Sequence, residues 1–220
     1  MIDEPMPRKR GPQRRAARND RALLDAAREV FAEQGFDAPV SAVAERAGVG
    51  IGSLYRRYRT KDELLQRLCT DSLDRLAVAA KEGLDNPDPW DGLVHYIRRS
   101  VADGFGLLGP LAGAIEPTPE MNEAGARADT HTEAVVARAH AADALRPDVT
   151  TMDLFLLIGQ LSHLPPGPPQ DAPQMRDRLL VIAVDGLHPD VSTLPGPAPD
   201  PRRYRELWEH RRQDPPAGSS

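Results

Sequence analysis

VSAVAERAGVGIGSLYRRYRTK, residues 40–61, carries one apolar pattern twice with a glycine between. Val40, Val43, Ala44 and Ala47 fall at i, i+3, i+4 and i+7, the spacing of one helix face. Gly48 follows, where a chain leaves a helix through a left-handed residue. Three residues later Ile51, Leu54, Tyr55 and Tyr58 repeat the spacing. Helices this short are not stable alone. Joined by a tight glycine turn they form a helix-turn-helix, whose second helix lies in the DNA major groove. Here that helix offers Arg56, Arg57, Arg59 and the hydroxyls of Ser53, Tyr55 and Tyr58, with no acid. Such groups suit phosphates and base edges.

GVGIGSLYRRYRTKDELL, residues 48–65, resembles the DNA-binding signature of the tetracycline-repressor (TetR) family. Gly48, Val49, Gly52, Leu54, Tyr55, Lys61 and Leu64 match that signature outright. Ser53, Tyr58, Thr60 and Asp62 match in kind. Gly50 replaces a usual Ser or Thr, and Arg57 replaces a usual His. The resemblance runs over about residues 16–76. It implies an all-α fold: an N-terminal three-helix DNA-binding domain and a C-terminal helical ligand-binding and dimerisation domain. The expected boundaries are an arm at 1–15, the head at 16–76 with its motif at 39–58, the second domain at 77–190 and a tail at 191–220.

The rest of the chain fits that plan. The 220 residues suffice for one small and one medium unit. No run of 18 apolar residues occurs, and the start has no apolar signal region, so a cytoplasmic protein without membrane contact is expected. The single cysteine, Cys69, excludes an internal disulfide framework and a cysteine-rich zinc site. The net charge of −5 is uneven: residues 1–70 hold 14 of the 28 bases and 10 of the 33 acids. A basic front and an acidic back direct a polyanion to the front.

The arm, rich in proline and bases out to about Arg18, reads as disordered, either lying along DNA or simply solvated. Asn19 or Asp20 is expected to cap the first helix, with Leu23, Ala27, Val30 and Phe31 on its core face and Gly35 at its end. Thr60 and Glu63 form a capping box. The helix they open is expected to reach about Ala80, before a break at Gly83 to Pro89. The next helix is expected through about Leu108, then an irregular apolar stretch to Glu120. Further helices follow from Met121 to Leu145 and around Leu154, Leu157, Ile158 and Leu161, and Met175, Leu179, Ile182, Ala183 and Gly186 mark the core face of a last helix. The family plan implies that segments 151–164 and 175–187 pair with their copies in a homodimer; composition alone equally allows an internal core. A short charged helix is expected at 201–213, with Tyr204 and Trp208 four residues apart.

On this reading Ser41, Tyr55, Tyr58 and Lys61 clamp phosphates, and Arg57 takes another. Gly50, Ile51, Ser53 and Arg56 meet base edges or methyl groups of a near-palindromic operator. A hydrophobic or amphipathic small molecule, held near Trp90, Phe105, Met121, Phe155 and His163, would release the repressor. Each of those five residues also suits plain core. No cofactor or metal is expected, and no HExxH, Walker A, GxSxG or Rossmann motif supports an enzyme. The alternative is a ligand-independent DNA-binding or protein-interaction module.

Overall fold

The computed structural model describes residues 11–111, 114–163, 170–190 and 192–203. Among them the regular structure is helical, in agreement with the expected all-α class. Two compact units divide between Leu64 and Leu65.

The first unit is built on α1 (Gly11–Gln34), α2 (Val40–Arg46), α3 (Ile51–Arg57) and the start of α4 (Lys61–Asp85). α1 begins earlier than expected, so Asn19 and Asp20 lie inside it and do not cap it. Pro12 sits in the first turn, where a missing N–H costs nothing. From Gln13 to Gln34 no residue breaks a helix, and Ala, Arg, Gln and Leu favour one. The part of the expected arm from Gly11 on is therefore helical; residues 1–10 lie outside the described residues. Gly35 (φ +79°) and Gly48 (φ +66°) take the left-handed conformation at the ends of α1 and α2. Leu23, Leu24, Ala27, Val30 and Phe31 of α1 are buried, as are Val40, Val43, Ala44, Leu54 and Tyr58. α2 packs on α1, and α3 packs on α2. Thr60 Oγ1 accepts from the Glu63 N–H at 3.1 Å, and Glu63 reaches back to the N–H of Arg59 at 2.7 Å. This is the expected capping box moved back by one residue on its return bond.

In the second unit α4 continues to Asp85, past the expected break at Gly83. Gly83 survives within a helix because it is a contact point. A Cβ on it would stand 2.5 Å from the Gly92 carbonyl oxygen, and one on Gly92 would stand 2.2 Å from that of Gly83. Gly92 lies in α5 (Pro89–Ala102), capped by Asp88 through the Asp91 N–H. α5 ends before the expected Leu108, because Gly104 turns left-handed at φ +68°. A 3-10 turn (Phe105–Leu111) follows, then α6 (Pro119–Ala141), α7 (Thr151–Ser162) and α8 (Ala172–Asp185). α6 stops short of Leu145, with Asp143 at φ +52°. α5 packs against α6, α7 and the 3-10 turn, and α8 packs against α7. Leu93, Tyr96, Ile97, Val135, Ala139, Leu154 and Ile158 form the centre of the shared core. The Arg138 guanidinium donates to the carbonyls of Leu84 and Pro87, both at 2.9 Å, and so closes the end of α4. Arg146 and Asp148 pair, and bind the backbone of Gly186, Ser192 and Leu194.

α8 corrects one expectation. Leu180 and Val184 face the core, whereas Met175, Leu179 and Ile182 are exposed, Ile182 to 64%. The helix is apolar on two faces, and the periodic set picked the outer one. Residues 164–169 of the proline-rich loop and the helix expected at 201–213, from Tyr204 on, lie outside the described residues.

The glycine crossing makes opposite predictions for glycines in different settings. Gly83→Ala or Gly92→Ala forces backbone apart and should cost about 1–3 kcal/mol or more. Gly52→Ala, in α3 with open space at its Cβ, should stabilise by about 0.5–1 kcal/mol. Urea unfolding midpoints of the three variants check this.

Candidate nucleic-acid interface

α3 is a seven-residue helix with one buried side chain, Leu54. Everything else on it points outward. Ile51 is 42% exposed and Tyr55 50%, which is unusual for side chains of that size. Ser53 and Arg56 are also exposed, and Arg56 Nη2 donates to Ser53 Oγ at 2.8 Å. That bond lies along one helix edge, and the hydroxyl it meets is neutral. Gly50 is the N-cap of α3, with no side-chain cap and open space at its Cβ. Ser41 is exposed in the first turn of α2, which starts from Pro39. Ser41, Gly50, Ile51, Ser53, Tyr55 and Arg56 are thus all solvent-facing groups of the first unit.

Two of the expected contacts, Tyr58 and Arg57, are engaged within the unit, and Lys61 keeps its place at the start of α4. Tyr58, expected to clamp a phosphate, is core: its ring is 5% exposed and its hydroxyl donates to Asp20 Oδ1 at 2.7 Å. Burial, then the neighbouring Asp20 carboxylate, pushes its phenol well above the ordinary tyrosine range. Arg57 is exposed, yet its Nε and Nη2 donate to the two oxygens of Asp20 at 3.0 and 2.9 Å. The hydrogen bond to Asp20 raises its already high pKa further. Lys61 is half-buried at the start of α4, with its ammonium 5.8 Å from the centre of the Phe31 ring. That is the reach of a cation–π contact.

The sequence reading missed what anchors α2. Arg46 Nη1 reaches Glu29 at 3.0 Å, and its Nη2 reaches Glu33 at 2.6 Å. Hydrogen bonding to Arg46 holds the Glu33 carboxyl below its ordinary range. The available signal was Glu29 and Glu33 at i, i+4 on α1, a pair of like charges that needs a cation.

The five residues named for a ligand site have these surroundings. Phe105 and Phe155 meet edge to face, with ring centres 5.6 Å apart. Trp90 instead lies against His188, at 3.9 Å between ring centres. His163 is exposed, with Nδ1 2.8 Å from the Gly159 carbonyl of its own helix. Met121 is half-buried in the first turn of α6. Among the described residues no group of three or more potential metal ligands occurs, and no helix is long and apolar enough to cross a membrane. Burial raises the Cys69 thiol to about 12, so it is not a reactive thiolate.

Two family models match this architecture in succession. Residues 23–68 match that of bacterial regulatory proteins of the tetR family, and residues 88–189 match the SbtR-like transcriptional regulator C-terminal domain. The HTH-type transcriptional repressor Rv1474c of Mycobacterium tuberculosis is 41% identical over 66 residues, covering 29% of this chain and 35% of that protein. The chain therefore spans about a third of that relative's length. The TetR transcriptional regulator SCO0520 of Streptomyces coelicolor superposes with a TM-score of 0.57 at 26% identity, over 78% of this chain and 99% of that one. LfrR of Mycobacterium smegmatis, solved in complex with proflavine, shares the fold with a TM-score of 0.61 at 22% identity, over 81% and 99%. The chain belongs to the TetR family of bacterial regulatory proteins. Its family and fold neighbours are transcriptional regulators and not enzymes.

The two tyrosines of the head separate by function. Tyr58→Ala should cost about 3–5 kcal/mol, as loss of a buried aromatic does. Tyr55→Ala should leave stability within about 0.5 kcal/mol, as a surface change does, while weakening DNA binding. Thermal unfolding and duplex titration of the two variants check the split.

Proposed function

We propose that this chain is a sequence-specific DNA-binding transcriptional repressor that works as a homodimer in the cytoplasm and is released by a small molecule. The observation that carries this reading is the outward face of α3. A helix that exposes Ile51, Ser53, Tyr55 and Arg56, contains no acid and buries only Leu54 is arranged to be covered by something else. Ser53 and Arg56 can bond base edges, and Ile51 can meet a thymine methyl. Ser41 and Tyr55 suit phosphates, with Lys61 at the start of α4. The acidic partners on this unit, Glu29, Glu33 and Asp20, are taken up by Arg46 and Arg57.

Dimerisation is supported by α8. Met175, Leu179 and Ile182 form an exposed stripe at i, i+4 and i+7. Covering it with a second copy would remove it from water, at roughly 25 cal/mol per Å² of apolar surface. A two-fold dimer brings two heads to two half-sites, so the operator should be near-palindromic. The repressor sense is borrowed from the Mycobacterium tuberculosis relative, which matches over the head region. Release by a ligand is the mode that the proflavine-bound neighbour suggests. The ligand would be hydrophobic or amphipathic, and the paired Phe105 and Phe155 offer it an aromatic surface in the second unit. It can loosen DNA only by as much as it prefers the non-binding arrangement.

Charging the stripe tests the dimer. The wild type should sediment at twice its 24.1 kDa chain mass. Leu179→Asp with Ile182→Asp should sediment as a monomer with an unchanged circular dichroism spectrum. Its affinity for a two-half-site duplex should fall by about 100-fold or more through lost bivalency. A charged variant that stays dimeric would remove α8 from the interface.

A further inference from the structure

The recognition helix carries one arginine that is already spoken for. Arg57, the last residue of α3 before the buried Tyr58, is clasped by a carboxylate from 37 residues earlier in the chain. Its Nε and Nη2 each take one oxygen of Asp20, at 3.0 and 2.9 Å. This is the two-bond fork with which guanidinium groups also grip phosphate oxygens. The Asp20 side chain is nearly enclosed, 14% exposed, and the Tyr58 hydroxyl also donates to it, at 2.7 Å. Arg57 itself is 58% exposed, so it stands at the surface with its charge paired to Asp20. Arg56, one residue before it, differs: its Nη2 donates to the neutral hydroxyl of Ser53, which takes up no charge.

Resting on the DNA-binding reading, we propose that Asp20 is an internal surrogate for a DNA phosphate. It occupies the fork of Arg57, holds it against α1 and withholds its charge from the nucleic acid backbone. Phosphate contacts supply the part of affinity that ignores sequence. Base contacts by Ser53 and Arg56 supply the part that reads it. Subtracting one phosphate contact lowers binding to every duplex and leaves base reading in place. Asp20 then sets the overall strength of binding, at specific and non-specific sites alike, and with it the salt range in which the chain stays on DNA. A mere strut between α1 and α3 would have the same hydrogen bonds but would leave the count of phosphate contacts unchanged when its charge is removed.

The test is the salt dependence of binding to a random-sequence duplex, followed by fluorescence anisotropy with the full chain. Asp20→Asn keeps the shape and an oxygen acceptor for Tyr58, and removes the charge. The expected result is a plot of log affinity against log salt that steepens by about 0.9, one phosphate's worth. Affinity at low salt should rise several-fold, and adding Arg57→Gln should return the slope to that of the wild type. An Asp20→Asn slope equal to or shallower than the wild type would overturn the proposal. If Asp20→Asn does not fold, Arg57→Gln alone decides. A slope close to wild type supports the surrogate, and one shallower by about 0.9 means that Arg57 already grips a phosphate. A wild type that binds no duplex at any salt would instead bring down the DNA-binding reading itself.

Discussion

Two seven-residue helices have no stability of their own, so the head stands or falls on how α2 and α3 are held to α1. Burial does most of this. Val40, Val43, Ala44, Leu54 and Tyr58 join Leu23, Leu24, Ala27, Val30 and Phe31 in one apolar core. A fully buried side chain of this kind contributes about 1.5–3 kcal/mol. Ion pairs add direction where burial alone would leave slack. Arg46 ties α2 to Glu29 and Glu33, and Arg57 ties the end of α3 to Asp20. Because α1 supplies all these partners, the outer face of α3 is free of structural duty and its side chains can be chosen for a ligand.

The second unit solves a different problem with small residues. Gly83 against Gly92, and Gly106 against Gly159, bring backbone into contact with backbone. A chain with 5% aromatic residues has few large side chains to fill gaps. Close helix crossings reduce the volume that must be filled. Apolar residues then remain for the outside of α8, where Met175, Leu179 and Ile182 are exposed. The same economy explains why Gly83 does not end its helix.

The head was largely legible in the amino-acid sequence because its signals are local. The left-handed glycines at 35 and 48, the short repeated apolar pattern and the Thr60 cap all depend on neighbours within a few residues. What escaped depends on distant partners. Ile51, Leu54, Tyr55 and Tyr58 share one periodic pattern, yet only Leu54 and Tyr58 turn inward. Periodicity finds an apolar face but not what covers it. Asp20 looked like a helix cap because Asn19 and Asp20 are good caps, but its partners lie 37 and 38 residues on. The stacking of Trp90 on His188 and the outward turn of Ile182 leave no mark on nearby sequence. The five residues proposed for a ligand site were gathered by type alone; of them Phe105 and Phe155 meet edge to face.

The central claim is that the exposed face of α3 reads DNA sequence for a two-fold dimer. Selection of bound fragments from genomic DNA of the source organism, by the purified full chain at physiological salt, tests it most directly. The account predicts one enriched motif with two symmetric halves, centred about one helical turn apart or a multiple of it. Arg56→Ala should blur that motif at one position in each half. Fragments enriched without a shared motif, and lost equally as salt rises, would contradict the claim.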